Sequence, residues 1–270
     1  SVDFVYVPVP TPHIIDFSTS LSDDTRIADP ALPHLDFRRG DVGLRINTRF
    51  FGLDGSLMLF HGLDKRAGMT MDVEVDTSVM PPPPGGPPMT FVLTPTYGMM
   101  DAVGGDLSWG AGPILLKAEA AYYWTEDLDG DDPTVRNPEF SGVAGITVVP
   151  HTSVNFTVQG TVSRLAHYDP DEEIAALEEL GMVDPDVDCR VTGSIVERLQ
   201  IDIRDTVSIQ VVGMQNPRKG DHFEMAFVSV KPADALTLIG GVVLFGGPED
   251  SSMGQIKNQS RGFFEVKYSF

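Results

Sequence analysis

The last ten residues of the chain alternate between two kinds of side chain. Gly262, Phe264, Val266, Tyr268 and Phe270 occupy every second position, and mostly charged or polar residues stand between them. Side chains of a β-strand point alternately to opposite faces of a sheet, so a period of two predicts a strand with one apolar face. The alternation continues to an aromatic residue at the last position of the sequence.

The same period recurs along most of the chain. It predicts twelve strands, at about 2–8, 42–51, 55–62, 90–109, 113–124, 140–149, 153–166, 189–202, 205–213, 222–231, 234–245 and 259–270. Short turn sequences join them in pairs at 52–55, 110–113, 150–153, 203–206 and 231–234. Long polar stretches alternate with these turns at 9–41, 61–89, 123–141, 167–188, 214–221 and 246–260. An even number of strands with short turns at one end and long loops at the other is typical of an antiparallel transmembrane β-barrel, here a single domain over 1–270.

An aromatic last residue with apolar residues two, four and six positions earlier resembles the C-terminal signature of Gram-negative outer-membrane β-barrels. The resemblance implies that the barrel-assembly machinery reads this strand, and that the protein lies in the bacterial outer membrane among lipid and lipopolysaccharide. The residues of that signal are Phe264, Val266, Tyr268 and Phe270.

Two other segments, 100–123 and 2–10, are similar to strands of large, poorly characterised proteobacterial porin-like barrels. In proteins of that kind several strands precede the equivalent of the strand at 2–8. We therefore expect either a barrel closed by these twelve strands or further strands upstream of Ser1.

A soluble β-sandwich explains strand alternation equally well, because its outer faces meet solvent. The asymmetry of the connections and the terminal aromatic residue favour the barrel. One strand fits it poorly, because Glu197 continues an outward apolar series and would place a carboxylate in lipid. We expect a β-bulge near Ile195 and Val196 to turn Glu197 inward.

Composition and charge exclude several classes of protein. The 270 residues include 39 Asp and Glu but 19 Lys and Arg, for a formal net charge of −20, and no basic run exceeds two residues. Nucleic acid is therefore not an expected partner. The longest uncharged apolar stretch, 235–247, is too short for a transmembrane helix, which needs about 20 residues. The six histidines show no metal-ligand spacing, and no catalytic set is recognisable, so we do not expect an enzyme.

Charged residues on the faces predicted to point inward are the candidate functional residues. They would line the lumen, and they are Arg45, Arg49, Asp106, Lys117, Glu119, Arg198, Glu224, Arg261, Glu265 and Lys267. Such a wall either keeps a narrow channel wet or closes a small barrel by pairing its charges. The first alternative predicts a porin-like channel for passive passage of small polar solutes. The second predicts a scaffold barrel that docks partner proteins in an outer-membrane complex.

Most of the negative charge lies in the long polar stretches, which hold 28 acidic and 9 basic residues. Within the stretch 167–188, residues 169–181 predict a short helix that begins with a capping box and ends at a glycine. These acidic loops are a candidate surface for a protein partner. A further acidic run is a candidate Ca²⁺ site, although a solvated loop explains it as well. Its residues are Asp127, Asp129, Asp131 and Asp132.

Overall fold

The computed structural model describes residues 1–13, 25–32, 40–75, 89–130, 132, 134–168 and 190–269. β-Structure dominates these residues, and the described helical structure is one short 3-10 turn at Lys257–Gln259. No helix in the described part of the chain is long and apolar enough to span a membrane. The described strands are β1 (Val2–Val7), β2 (Thr25–Ile27), β3 (Asp41–Phe50), β4 (Leu53–Leu63), β5 (Gly68–Val75), β6 (Met89–Thr96), β7 (Met99–Ala111), β8 (Ile114–Trp124), β9 (Glu139–His151), β10 (Val154–Leu165), β11 (Val191–Ile203), β12 (Val207–Asn216), β13 (Asp221–Ala233), β14 (Leu236–Gly246) and β15 (Arg261–Tyr268).

Twelve of these strands form one antiparallel sheet in the order β1-β3-β4-β7-β8-β9-β10-β11-β12-β13-β14-β15. The inner strands have 10 to 13 residues, whereas the edge strands β1 and β15 have six and eight. Within the described residues each edge strand pairs on one side only, β1 with β3 and β15 with β14. The predicted all-β class and a twelve-stranded antiparallel sheet are confirmed.

The five predicted short turns all join consecutive strands of this sheet. Phe51 and Gly52 both have positive φ (49° and 81°), and so do Arg204 and Asp205 (53° and 56°). Two consecutive residues with positive φ form the turn whose twist matches an antiparallel hairpin. These turns therefore fix the register of β3 with β4 and of β11 with β12.

The stretch 214–221 is a tight turn and not the long loop that we predicted. β12 continues to Asn216 and β13 begins at Asp221. The Asn216 side chain accepts hydrogen bonds from the backbone N–H groups of Arg218 (3.1 Å) and Lys219 (3.2 Å). Such an asparagine-capped turn closes a hairpin in few residues, so long and short connections do not alternate at this point.

The predicted strand 90–109 is two strands that belong to different sheets. Tyr97 lies between β6 and β7, where it is buried and donates its hydroxyl to the carbonyl oxygen of His13 (2.7 Å). β6 pairs antiparallel with β5 and parallel with β2 in a separate three-stranded sheet. The sequence prediction placed β2 and β5 in loops. β2 has three residues and pairs in parallel with a distant strand, which leaves little local signal. The predicted helix at 169–181 lies outside the described residues.

The register of the twelve-stranded sheet separates its side chains into two faces, because residues paired directly across strands share a face. We name one of them the apolar face. A row on it, from β1 to β9, is Phe4, Leu44, Leu59, Val103, Tyr122 and Phe140. We name the opposite side the polar face. A row on it, from β3 to β8, is Asn47, Ser56, Asp106 and Glu119.

No second layer of the described structure covers the apolar face. Phe264, Phe4 and Tyr268 on this face expose 70%, 68% and 67% of their surface. A soluble β-sandwich would bury such a face against another sheet. The buried apolar residues belong to β6 or lie where β4 ends and β7 begins, and they are Leu63, Val92, Leu93, Tyr97 and Ala102. The described residues thus lack the two-layer core that the sandwich alternative requires.

The predicted bulge at Ile195 and Val196 is absent. β11 pairs with β10 in unbroken register, and Glu197 lies opposite Val158 on the apolar face. Gly213 on β12 lies directly opposite Glu197 and leaves space beside it. Gln215 donates a hydrogen bond from Nε2 to Glu197 Oε1 (3.2 Å). The neighbouring strand therefore accommodates the carboxylate on the apolar face without a break in the sheet.

Candidate functional site

The polar face brings together most of the predicted inward-facing charges. The residues found on it are Arg45, Arg49, Asp106, Lys117, Glu119, Arg198, Arg261, Glu265 and Lys267. They fall into two groups along the sheet, one on β3 to β8 and the other on β11 and β15. Strands β9 and β10 separate these groups.

Glu224 lies on the apolar face, so the face that we predicted for it is wrong. It pairs with Gly213 on β12 and with Leu244 on β14, and both belong to the apolar face. The alternation of β13 could not reveal this, because Phe223 and Met225 beside Glu224 are apolar as well. Glu224 and Glu197 thus flank Gly213 on the face that is mostly apolar.

Two ion pairs lie on the polar face of strands β3, β4 and β7. Arg45 Nη2 lies 2.7 Å from Asp106 Oδ2, and Arg49 Nη2 donates to Asp54 Oδ2 (3.1 Å). The side chains of Arg45 and Asp106 are 49% and 36% exposed, so their attraction is screened by solvent. A hollow of about 450 Å³ adjoins the first pair, and small residues such as Gly104 form part of its lining.

Three of the predicted inward-facing cations have no acidic partner among the described residues. Lys117 and Arg261 form no ion pair or side-chain hydrogen bond within these residues. Arg198 donates from Nη2 to the amide oxygens of Gln200 (2.8 Å) and Gln210 (3.3 Å). Amide oxygens are neutral, so the positive charge of Arg198 stays uncompensated locally.

Hydroxyl groups dominate the polar face between the two charged groups. Thr147 and Thr157 hydrogen-bond through their Oγ1 atoms (3.0 Å), and Thr161 Oγ1 lies 2.8 Å from Ser194 Oγ. Hydroxyls both donate and accept, so they retain hydrogen-bonding capacity toward water after pairing with each other. This part of the face is therefore wettable without carrying charge.

An ionic cluster with largely buried carboxylates and a half-exposed Arg66 connects distant segments of the chain beyond the ends of β4 and β8. Asp64 accepts from Arg136 Nη1 (2.8 Å), and Glu139 accepts from Arg66 Nη1 (3.1 Å) and from Arg136 Nη2. The guanidinium of Arg66 also lies over the ring of Tyr123, 5.4 Å from its centroid. Burial lowers the pKa of Arg136, and repulsion by Arg66 adds to this, although the two carboxylates oppose the shift.

Sequence reasoning did not find this cluster. Arg66 and Glu139 are 73 positions apart, and no spacing rule relates them. A weak signal existed, because Arg136 is the one cation in the acidic stretch 123–141. A lone cation among carboxylates is a good candidate for a buried partner.

The candidate Ca²⁺ run gains no support from the described geometry. Asp127 is buried and accepts backbone hydrogen bonds from Gly130 (2.8 Å) and Asp132 (3.1 Å). Among the described residues, no group of three or more His, Cys, Asp or Glu side chains is placed to hold a metal ion. Asp131 lies outside the described residues, and Ca²⁺ binding at Asp127, Asp129 and Asp132 stays a prediction.

The residues of the predicted assembly signal share one face of β15. Phe264, Val266 and Tyr268 pair with Gly240, Leu238 and Leu236 of β14, all on the apolar face. They lie at an edge of the sheet, and each exposes more than half of its surface. Phe270 lies outside the described residues.

Comparison with known proteins gives a distant structural likeness. No protein-family model matches the chain, and no curated protein matches it. A solved structure to which the chain is similar is the outer membrane channel DcaP of Acinetobacter baumannii, at 10% sequence identity and a TM-score of 0.43, over 99% of this chain and 72% of that chain. We therefore base the function on the geometry of the two faces.

Proposed function

We propose that this chain is an outer-membrane β-barrel that forms a porin-like channel for passive passage of small polar solutes. The observation that carries the proposal is that one twelve-stranded sheet has an exposed apolar face and a charged, hydroxyl-rich face. An exposed apolar surface of this extent is unfavourable in water but is stable against the acyl chains of a bilayer. The polar face then borders a water-filled lumen.

The proposal requires the sheet to close. No water in the hydrocarbon layer satisfies the free backbone groups of an edge strand, so open edges are not stable there. β1 and β15 run in opposite directions, as do all neighbours in the sheet, so a direct closing pair between them would be antiparallel. Phe4 and Phe264 would then stand on the lipid side of this seam.

A second candidate function is a scaffold that docks partner proteins in an outer-membrane complex. Glu197 and Glu224 favour it, because a carboxylate that faces lipid is unfavourable and a basic partner would neutralise it. The acidic connections would offer such a partner a second surface. Lipid, lipopolysaccharide and the barrel-assembly machinery are expected partners under either function.

Single-channel recording in planar bilayers tests the channel. The refolded protein should give reproducible conductance steps, and Lys117→Glu should shift its selectivity toward cations, because that variant reverses an unpaired charge on the polar face. Leu57→Gln, on the apolar face, is the matched control and should leave selectivity unchanged. Absence of any channel in a protein that shows heat-modifiable gel mobility would favour the scaffold.

A further inference from the structure

Part of the polar face is apolar across β12, β13, β14 and the first residues of β15, although Glu265 and Lys267 remain on this face of β15. Three successive rows of side chains there are mostly apolar, whereas the same face of β9 and β10 carries hydroxyls and amides. We name the aromatic and methionine side chains of this region the apolar lane, and they are Met214, Phe223, Met225, Phe227, Phe245 and Phe263. Each is partly exposed and none is fully buried.

The rings of the lane contact one another across the strands. Phe223 and Phe245 are directly paired, with ring centroids 5.4 Å apart. Gly241 lies between Phe227 and Phe263, and a Cβ built on it would be 2.8 Å from Phe263 Cζ. The absence of a side chain at Gly241 thus lets the Phe263 ring lie close to the sheet, which makes a shallow apolar floor.

Two unpaired arginines flank the middle row of the lane. Arg198 on β11, Val212, Met225, Val243 and Arg261 on β15 are paired in succession across five strands. The two arginines are therefore four strand spacings apart, about 19 Å, with apolar side chains between them. Both are exposed, and neither forms an ion pair with a described residue.

The surroundings of Arg198 keep an acidic group away from it. Gln200 accepts from Arg198 through Oε1 and donates through Nε2 to Asp202 (2.8 Å), so an amide separates the two charges. A guanidinium has five N–H donors in a planar fork that matches a carboxylate. The remaining donors of Arg198 are thus available to an external anion beside the lane.

We propose that the apolar lane with Arg198 and Arg261 is a binding site for organic anions that carry an aromatic or short aliphatic body and a single carboxylate. The body lies on the phenylalanine and methionine side chains, and the carboxylate pairs with either arginine. This inference rests on the proposed channel in one respect. If the chain forms a channel, the site favours such anions over the other solutes that enter the lumen.

Binding is measured with the full chain in zwitterionic lipid nanodiscs, by fluorine NMR of 4-fluorobenzoate. Trifluoroacetate carries the charge without the ring and is the matched probe. We expect saturable binding of 4-fluorobenzoate, about tenfold tighter than that of trifluoroacetate, since aromatic contacts add to the charge-assisted hydrogen bonds. Empty nanodiscs report partition into lipid alone.

Variants separate the two parts of the site. Arg198→Gln or Arg261→Gln alone leaves the other arginine in place and should weaken 4-fluorobenzoate binding by no more than about twofold, whereas the double variant should weaken it by about threefold to tenfold, as expected for loss of a charge-assisted hydrogen bond. Phe227→Ser should lower the preference for 4-fluorobenzoate over trifluoroacetate. Lys117→Gln removes another unpaired cation, far from the lane, and should leave that preference unchanged.

The proposal is overturned if the two probes bind equally well, or if no saturable binding exceeds that of empty nanodiscs. The second result includes the case in which part of the chain covers the lane. The arginine variants keep the test decisive if Phe227→Ser fails to fold, because both arginines are exposed. Binding without conductance would refute the channel and leave the site standing, whereas conductance without binding would refute the site alone.

Discussion

Strands β3 to β10 and strands β12 to β14 belong to one sheet but divide polar and apolar residues differently. In the first region the two faces differ strongly, as Leu57 and Ser56 illustrate on β4. In the second region both faces are largely apolar, so Ala226 on the apolar face of β13 has the apolar neighbours Met225 and Phe227 on the polar face. Hydropathy alternation therefore identifies the apolar face in the first region and fails to do so in the second.

The contrast shows that the fold constrains the two faces unequally. Every strand of the sheet keeps a mostly apolar face, and large apolar side chains on it are exposed from β1 to β15. The polar face varies from paired charges through hydroxyls to aromatic rings. This pattern is expected if every strand presents one face to lipid, whereas the residues on the other face depend on the solute that they meet at each position.

The largest expected effect comes from placing the same charge on the two faces. Leu57→Arg puts a guanidinium on the apolar face in mid-strand, and it should lower the free energy of unfolding in liposomes by about 2 to 4 kcal/mol. Met225→Arg puts it on the polar face within the apolar lane, and it should cost under about 1 kcal/mol because water reaches that side. Reversible urea unfolding followed by tryptophan fluorescence measures both.

Equal costs for the two variants would contradict the assignment of the faces. A large cost at Met225 and a small one at Leu57 would mean that the assignment of the two faces is reversed. The charged face would then be buried inside an assembly with other proteins. Either result would refute the assignment of one face to lipid and the other to water, on which the comparison of the two regions rests.

Backbone packing gives the next largest effect. Gly241→Ala would place a Cβ 2.6 Å from the carbonyl oxygen of Ala226 and 2.8 Å from Phe263 Cζ, and we expect a loss of about 1 to 3 kcal/mol through overpacking. Gly160→Ala on β10 is the matched control, because nothing lies within 4 Å of its added Cβ. The same unfolding experiment applies, and a Gly241 variant as stable as the Gly160 variant would show that the floor of the lane is loosely packed.

The sequence was sufficient for the main sheet because most of its strands alternate in hydropathy and short turns join six of its eleven pairs of neighbouring strands. Turn residues such as Gly52 separate runs of alternating hydropathy, and two such runs joined by a short turn predict a β-hairpin. The three-stranded sheet was not predicted. β2 is short and pairs in parallel with β6, more than sixty positions away, and β5 lies within the stretch 61–89 that was assigned to a polar loop.

The candidate site was predictable where charge and alternation agree, as at Arg45 and Asp106. It was not predictable at Glu224, because both faces of β13 are apolar and the phase of the strand is set by pairing with β12. The ionic cluster of Arg66, Arg136 and Glu139 was missed for another reason. It joins loop and strand residues that only the folded topology brings together.

A smaller effect is expected from neutralising a charge on the apolar face. Glu224→Leu should raise the free energy of unfolding in liposomes by about 1 kcal/mol, because a carboxylate facing acyl chains is disfavoured. Glu119→Leu on the polar face is the control and should give no such gain. An unchanged or lowered stability for Glu224→Leu would indicate that this patch meets water or a protein partner in place of lipid, which would strengthen the scaffold alternative.

The smallest expected effect concerns the paired charges of the first region. Arg45 and Asp106 form a close ion pair whose side chains are 49% and 36% exposed, so water screens their attraction. A double-mutant cycle of Arg45→Gln and Asp106→Asn should give a coupling energy under about 1 kcal/mol, as for other solvated pairs. A coupling of several kcal/mol would mean that water is excluded from this part of the polar face, because removing one partner of a dry pair leaves an uncompensated charge. The barrel interior would then be closed by its own salt bridges, and Lys117 and the two arginines beside the apolar lane would remain as cations open to a solute.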